Sequence, residues 1–232
     1  LHMLGMHGTV YANYAINDEM AIFANLSEGG SLASPDRVTG NLDAVGNMGS
    51  EAGHAIVTQA EIGLKWQFAD GSFYITYFNA DTDEEKAFEV TTQEFLQNSY
   101  ESSGFEIEGD YDFGNGFGIR GSLTLTDAEI VKTASGANVG NKPRRQADYF
   151  FNITPSYTAD NWDIGLNFVG TDEVFVQDNN DLKFDSYVVT NMFVNYYVND
   201  NFSVSLNSNN LFDEEGFTEG EEGSAVSGDL IR

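Results

Sequence analysis

The stretch GFEIEGDYDFGNGFGIRGSLTLT (Gly104–Thr126) decides the fold. In an extended strand successive side chains point to opposite faces. Phe105, Ile107, Tyr111 and Phe113 therefore share one face, and Glu106, Glu108, Asp110 and Asp112 share the other. After the turn Gly114-Asn115-Gly116 the partner strand repeats the division, with Phe117, Ile119, Leu123 and Leu125 against Arg120, Ser122, Thr124 and Thr126. One hairpin thus has an apolar side and a charged or hydroxylated side.

The same period of two extends outward to ten candidate strands: Thr9–Ile16, Met20–Ser27, Thr58–Phe68, Ser72–Ala80, Gly104–Phe113, Phe117–Thr126, Asp148–Tyr157, Trp162–Gly170, Tyr187–Val198 and Phe202–Leu211. Tight Asx/Gly turns (Asn17-Asp18-Glu19, Asp70-Gly71, Asn115-Gly116, Asp160-Asn161, Asn199-Asp200-Asn201) alternate with long polar segments at 28–57, 81–103, 127–147, 171–186 and 212–229. A sandwich gives no reason for short and long connections to alternate, whereas an outer-membrane barrel puts short turns on the periplasmic side and long loops outside. Trp66 and Trp162 flank short turns, and Phe68, Phe73, Tyr111, Phe113, Phe117, Tyr157 and Phe202 crowd the same ends, as in an interfacial aromatic girdle. The expected fold is all-β: an antiparallel up-and-down meander of about ten strands, part of a large transmembrane β-barrel. A soluble sheet with one wet face has the same period two.

Composition narrows the function. With 37 Asp+Glu against 10 Lys+Arg, a formal charge of −27, and no cysteine, the chain has no disulfide framework, thiol catalysis or Cys-ligated metal. A polyanionic backbone needs a basic stripe, so nucleic acid is not an expected partner. Aromatic residues at 13%, with 24 glycines and 3 prolines, argue for β-structure rather than disorder.

Three segments, in order, resemble TonB-dependent outer-membrane receptors. The run from Tyr100 through Glu106 and Glu108 into Thr126-Asp127-Ala128-Glu129-Ile130 is similar to that family's acidic strand and loop entry; Gly140-Asn141-Lys142-Pro143-Arg144-Arg145 is similar to its Pro/Arg loop return; Asn209-Asn210-Leu211-Phe212-Asp213 is similar to the motif closing its penultimate strand. Tyr14–Arg37 resembles an earlier hairpin. The resemblance implies uptake of a scarce solute (a ferric siderophore, a corrinoid or an oligosaccharide) across the bacterial outer membrane. Its implied partners are membrane lipid, the solute and the TonB complex, the last reached through an N-terminal plug outside these residues. Such receptors have about 22 strands. Ten strands, with the start of an eleventh at Leu230–Arg232 and neither plug nor TonB box, read as one domain over 1–232, roughly the C-terminal half of a barrel truncated at both ends.

Five long loops are the expected recognition surface. Lys142, Arg144 and Arg145, the only basic cluster, suit an anionic ligand or a lipid phosphate, or else offset their acidic surroundings. Asp178 and Asp181 belong to one of several acidic runs (Asp81–Glu85, Asp172-Glu173, Asp178–Asp181, Asp213–Glu222); none has EF-hand spacing, and they read as solvated surface with no metal site. His54 is a loop histidine that could ligate haem iron, although a lone loop histidine is usually just polar; with His2 and His7 it completes the histidines, and no nucleophile motif accompanies them, so neither an enzyme nor a bound cofactor is expected. Glu106, Glu108, Asp110, Asp112 and Arg120 are read as lumen-facing, where polar side chains need no catalytic role. The rival readings are a passive porin and a soluble acidic β-domain for binding or adhesion.

Overall fold

In the computed structural model, residues 8–31, 55–89, 94–133, 136–217 and 230–231 are described. They form β1 (Gly8–Ala15), β2 (Met20–Ser31), β3 (Ala55–Phe68), β4 (Gly71–Glu89), β5 (Glu94–Asp112), β6 (Phe117–Thr133), β7 (Tyr149–Ala159), β8 (Trp162–Thr171), β9 (Val174–Phe175), β10 (Lys183–Phe184), β11 (Tyr187–Asn199), β12 (Phe202–Ser208), β13 (Gly216–Phe217) and β14 (Leu230–Ile231). Ten of these make one antiparallel sheet in the order β1-β2-β3-β4-β5-β6-β7-β8-β11-β12, the expected meander, and no described residue is helical. β1 and β12 are its edges and do not pair with each other, so the sheet is open.

Register carries the two faces across the whole sheet. Ile75, Ile107, Leu123 and Phe151 form one apolar row over β4 to β7, while Tyr74, Glu108, Ser122 and Asn152 form the polar row behind it. Being one layer, the sheet has no conventional core: the buried hydrophobics among the described residues are Ala128, Ile130, Val176 and Val189. The apolar face stays open, with Val10 71% and Leu206 59% exposed.

Four sequence expectations need correction. Residues 81–103 were expected to be loop, yet β4 runs to Glu89 and β5 starts at Glu94, with a register shift between Thr82 and Glu85. Hydrophobic alternation stops there, but backbone pairing does not depend on it where both faces are wet. The expected loop 171–186 contains the β9–β10 hairpin. The last long strand ends at Ser208 rather than Leu211, because Asn210 turns to φ 48° while Leu211 N–H still donates to Thr190 O (2.7 Å). Leu230–Ile231 pairs with Gly216–Phe217 and adds no eleventh strand to the sheet.

The short turns are fixed by their own side chains. Asn17 Oδ1 accepts from Glu19 N and Met20 N (2.9 and 2.8 Å), and Asn115 Oδ1 accepts from Phe117 N (3.2 Å). Aromatic rings collect at this end: Trp66–Phe68 (4.8 Å between centroids), Tyr111–Phe113 (4.9 Å), Phe117–Tyr157 (4.6 Å) and Trp162–Tyr196 (4.4 Å). Gly116 sits at φ 87°, and a Cβ there would lie 2.3 Å from Thr158 O. Gly116→Ala should therefore lower stability by about 1–3 kcal/mol, read as an earlier midpoint in reversible urea unfolding from lipid vesicles; an unchanged midpoint would show that the turn relaxes.

Candidate functional site

The polar face is the first candidate. Glu106, Glu108, Asp110 and Asp112 project from β5 beside Thr76, Tyr74 and Ser72 of β4 and Thr124, Ser122 and Arg120 of β6. The Ser72 hydroxyl donates to the Asp110 carboxylate. Arg120 pairs in register with Asp110 and Thr154, and no hydrogen bond or ion pair to its guanidinium occurs among the described residues. Arg120 thus shares the row of these acids without an ion pair to any of them among the described residues. Tyr74, Glu108, Asp110, Arg120, Asn152 and Thr154 line a shallow depression of about 470 Å³.

Towards β12 the same face changes from carboxylates to amides. Asn167 Nδ2 donates to Asn152 Oδ1 (2.6 Å) and Thr154 Oγ1 (2.8 Å), Asn191 Nδ2 to Asn167 Oδ1 (3.1 Å), and Asn210 N to Asn191 Oδ1 (2.9 Å). Towards β1, Asn25 and Gln59 amides bond the Glu61 carboxylate (3.0 and 2.6 Å), and Lys65 reaches Tyr11 OH (3.1 Å) with its ammonium 4.8 Å from the Phe23 ring centre. Phe23 and Phe193 also belong to this face. Each ring lies over a cross-strand glycine, Gly63 or Gly165, where a Cβ would be 2.4 Å from it.

At the opposite end from the short turns, residues 136–148 and 172–186 interlock. Asp178, 2% exposed, accepts from Arg144 N (3.0 Å) and Asn98 Nδ2 (3.2 Å), and its backbone carbonyl accepts from Asn141 Nδ2 (2.9 Å). Asn180 Oδ1 accepts from Lys142 N (2.9 Å) while its Nδ2 donates to Lys142 O (2.8 Å); Arg144 also donates to Gln177 Oε1 (3.1 Å). Lys142 is ion-paired with Asp148.

Of the sequence candidates, Lys142, Arg144 and Asp178 are thus brought together as a loop clasp, Arg145 and Asp181 are exposed beside it, and His54 lies outside the described residues. Asn98, Asn141, Gln177 and Asn180 are the members that sequence reading missed as site residues; only the Asn-rich turn signal at 179–180 hinted at one of them. Among the described residues no group of three His, Cys, Asp or Glu could hold a metal ion.

Removing the Asp178 carboxylate takes away the acceptor of the part-buried Arg144 N–H and one of the two acceptors of the buried Asn98 amide, the other being Tyr100 OH (3.2 Å). Asp178→Ala should cost about 1–3 kcal/mol and accelerate hydrogen exchange at the Arg144 amide, whereas Asp181→Ala should stay within about 0.5 kcal/mol; equal exchange in the two variants would remove Asp178 from the clasp.

A family described as TonB dependent receptor-like, beta-barrel, matches residues 8–211. The ferric yersiniabactin uptake receptor FyuA from Yersinia pestis superposes with a TM-score of 0.77 at 16% identity, over 97% of this chain and 34% of that one. BauA, the ferric preacinetobactin receptor from Acinetobacter baumannii, gives 0.76 at 15% identity over 97% and 34%, and the ferric citrate transporter FecA 0.76 at 14% over 96% and 35%. The chain therefore spans about a third of the length of these solved receptors. A 63-residue stretch is 44% identical to chloroplastic acetolactate synthase of Arabidopsis thaliana, covering 27% of this chain and 8% of that enzyme, which is too short a match to make the chain a synthase.

Proposed function

The chain belongs to the TonB-dependent receptor β-barrel family, and from that premise we propose that it forms part of the wall of an energised outer-membrane receptor importing a scarce solute, a ferric siderophore before a corrinoid or an oligosaccharide. The observation that carries this is the open ten-stranded meander, polar on one face and apolar with an aromatic end on the other. In this reading the apolar face meets bacterial outer-membrane lipid, the carboxylate and amide face lines the lumen, and the interlocked loops face outside. The ten strands are about half of a 22-stranded barrel, so the domain extends beyond residues 1–232. A plug in the rest of the protein couples to the TonB complex, as family membership implies.

Ferric chelates lead because the similar solved receptors named above carry ferric yersiniabactin, ferric preacinetobactin or ferric citrate in their descriptions. The formal charge of −27 refines the class. An acidic exterior repels polyanions, so a chelate of low net negative charge suits it best, with exposed Arg145 the candidate contact for an anionic group. The porin reading shares this wall and differs only in needing no energy.

Two expected outcomes follow. In the complete receptor, Ile107→Arg should cost about 2–4 kcal/mol, the range for a cation facing lipid near mid-bilayer, whereas Glu108→Arg should cost far less; reversible folding into vesicles reads both, and equal losses would refute the face assignment. Deleting the gene should abolish uptake of an iron-55-labelled chelate in iron-starved cells, and a protonophore should block the wild-type uptake. Uptake through this protein that survives the protonophore would make it a passive pore.

A further inference from the structure

One row of the apolar face has no side chains at its centre. Gly109 on β5 stands directly opposite Gly121 on β6, with Phe73 and Ile153 as the outer members of the row. The gap is a hollow of about 370 Å³ walled by Phe73, Ile107, Tyr111, Ile119, Leu123 and Ile153, within the size range of sites that hold small ligands. Turn chemistry does not require these glycines, since neither has a positive φ. A Cβ would sit 3.0 Å from Ser72 O at Gly109 and 3.3 Å from Asn152 O at Gly121, so small shifts of the neighbours would admit one. Glycine inside a strand weakens it, and side chains bordering a void lose dispersion contacts. An apolar group filling this open groove would gain those contacts along its walls.

Its depth identifies the occupant. Gly109 precedes the turn glycine Gly114 by five residues, a height of about 12 Å for a tilted strand. Tyr111 and Phe68, 6.0 Å apart, lie between it and the turn. Such rings sit at headgroup level, which places the hollow in hydrocarbon on the short-turn side. Glu108 and Asp110, which flank Gly109, also line the hollow, but strand alternation turns their side chains to the polar face, and its remaining lining residues are uncharged. We propose that this hollow seats one phospholipid acyl chain of the leaflet on the short-turn side, its headgroup held at the level of the aromatic row. The proposal rests on the outer-membrane reading above.

The test uses the full-length receptor encoded by the gene that carries this segment, reconstituted in phosphatidylethanolamine and phosphatidylglycerol vesicles. A trace of phosphatidylethanolamine carries a diazirine in mid-chain; after irradiation, adducts are mapped by mass spectrometry. The wild type should carry several-fold more adduct on 104–125 than on the β11–β12 hairpin at the same depth, which lines no part of the hollow. Gly121→Leu, checked for folding by its heat-modifiable gel shift, should reduce that excess to the β11–β12 level. Even labelling of the wild type would overturn the seat, whether or not the variant folds. A hollow selectively protected in receptor dimers would overturn it in favour of a second copy. A folded receptor with no adduct on any apolar strand would instead overturn the outer-membrane reading itself.

Discussion

Inside hydrocarbon no water is available to a peptide group, so every N–H and C=O must be paired within the protein. In a β-barrel that leaves the antiparallel ladder, and the ladder dictates the rest: strands pair with sequence neighbours, the side-chain period is two, and, in the proposed receptor, one face meets lipid and the other the lumen. The rows observed here, Ile75-Ile107-Leu123-Phe151 in front of Tyr74-Glu108-Ser122-Asn152, are that constraint written in side chains. A slip of one residue between β5 and β6 would bring Glu108 onto the apolar face and Ile107 onto the polar one. The hydrophobic pattern therefore specifies register as well as strand identity.

The exposed apolar face is the feature on which the proposed lipid contact rests. A soluble sandwich covers such a face with a second sheet; here a single layer leaves Val10, Leu26, Ile62, Val204 and Leu206 open along its breadth. The acids behind it fit the same picture. Asp110 accepts from Ser72 and Asp112 from Gly114 N (2.8 Å), and on the proposed lumen face four carboxylates on one strand need not be neutralised. Arg120, without a partner among the described residues, fits the same reading, since bulk water solvates a guanidinium as well as a rim ion pair does.

What the sequence made legible is the part governed by local rules. Asn17, Asn115 and Asn199 announce turns that their own side chains close, and alternation locates every long strand between them. Two kinds of feature escaped it. Strand pairing beyond the bilayer, as in β4 and β5 over 81–103, carries no hydrophobic signature because both faces meet water. Contacts between distant segments were also invisible: Asn98 and Asp178 are 80 residues apart in sequence, and nothing in either neighbourhood marks the other. The place of Phe23 and Phe193 on the polar face was not legible for a related reason, since a ring there makes sense only when Gly63 and Gly165 are known to lie beneath. The candidate site was accordingly half legible, its lumen acids readable from alternation and its clasp readable only in three dimensions.

The same constraint decides where this protein can move. A ladder in hydrocarbon cannot exchange its hydrogen bonds for water, so opening it costs several kcal/mol per unpaired group, and the segment of β5 carrying Glu106 to Asp112 behaves as a rigid stave. Above the apolar rows the penalty falls, because water replaces a broken bond. Register shifts at Thr82/Glu85 and Ser99/Tyr100 and the clasp through Asn98, Asp178 and Asn180 lie in that region, and a further shift, at Tyr197/Asn199, lies beside a short turn. Low-stability regions are where binding elements are found. In the proposed receptor, the clasped loops are therefore the part that can rearrange with least cost to the paired strands beneath.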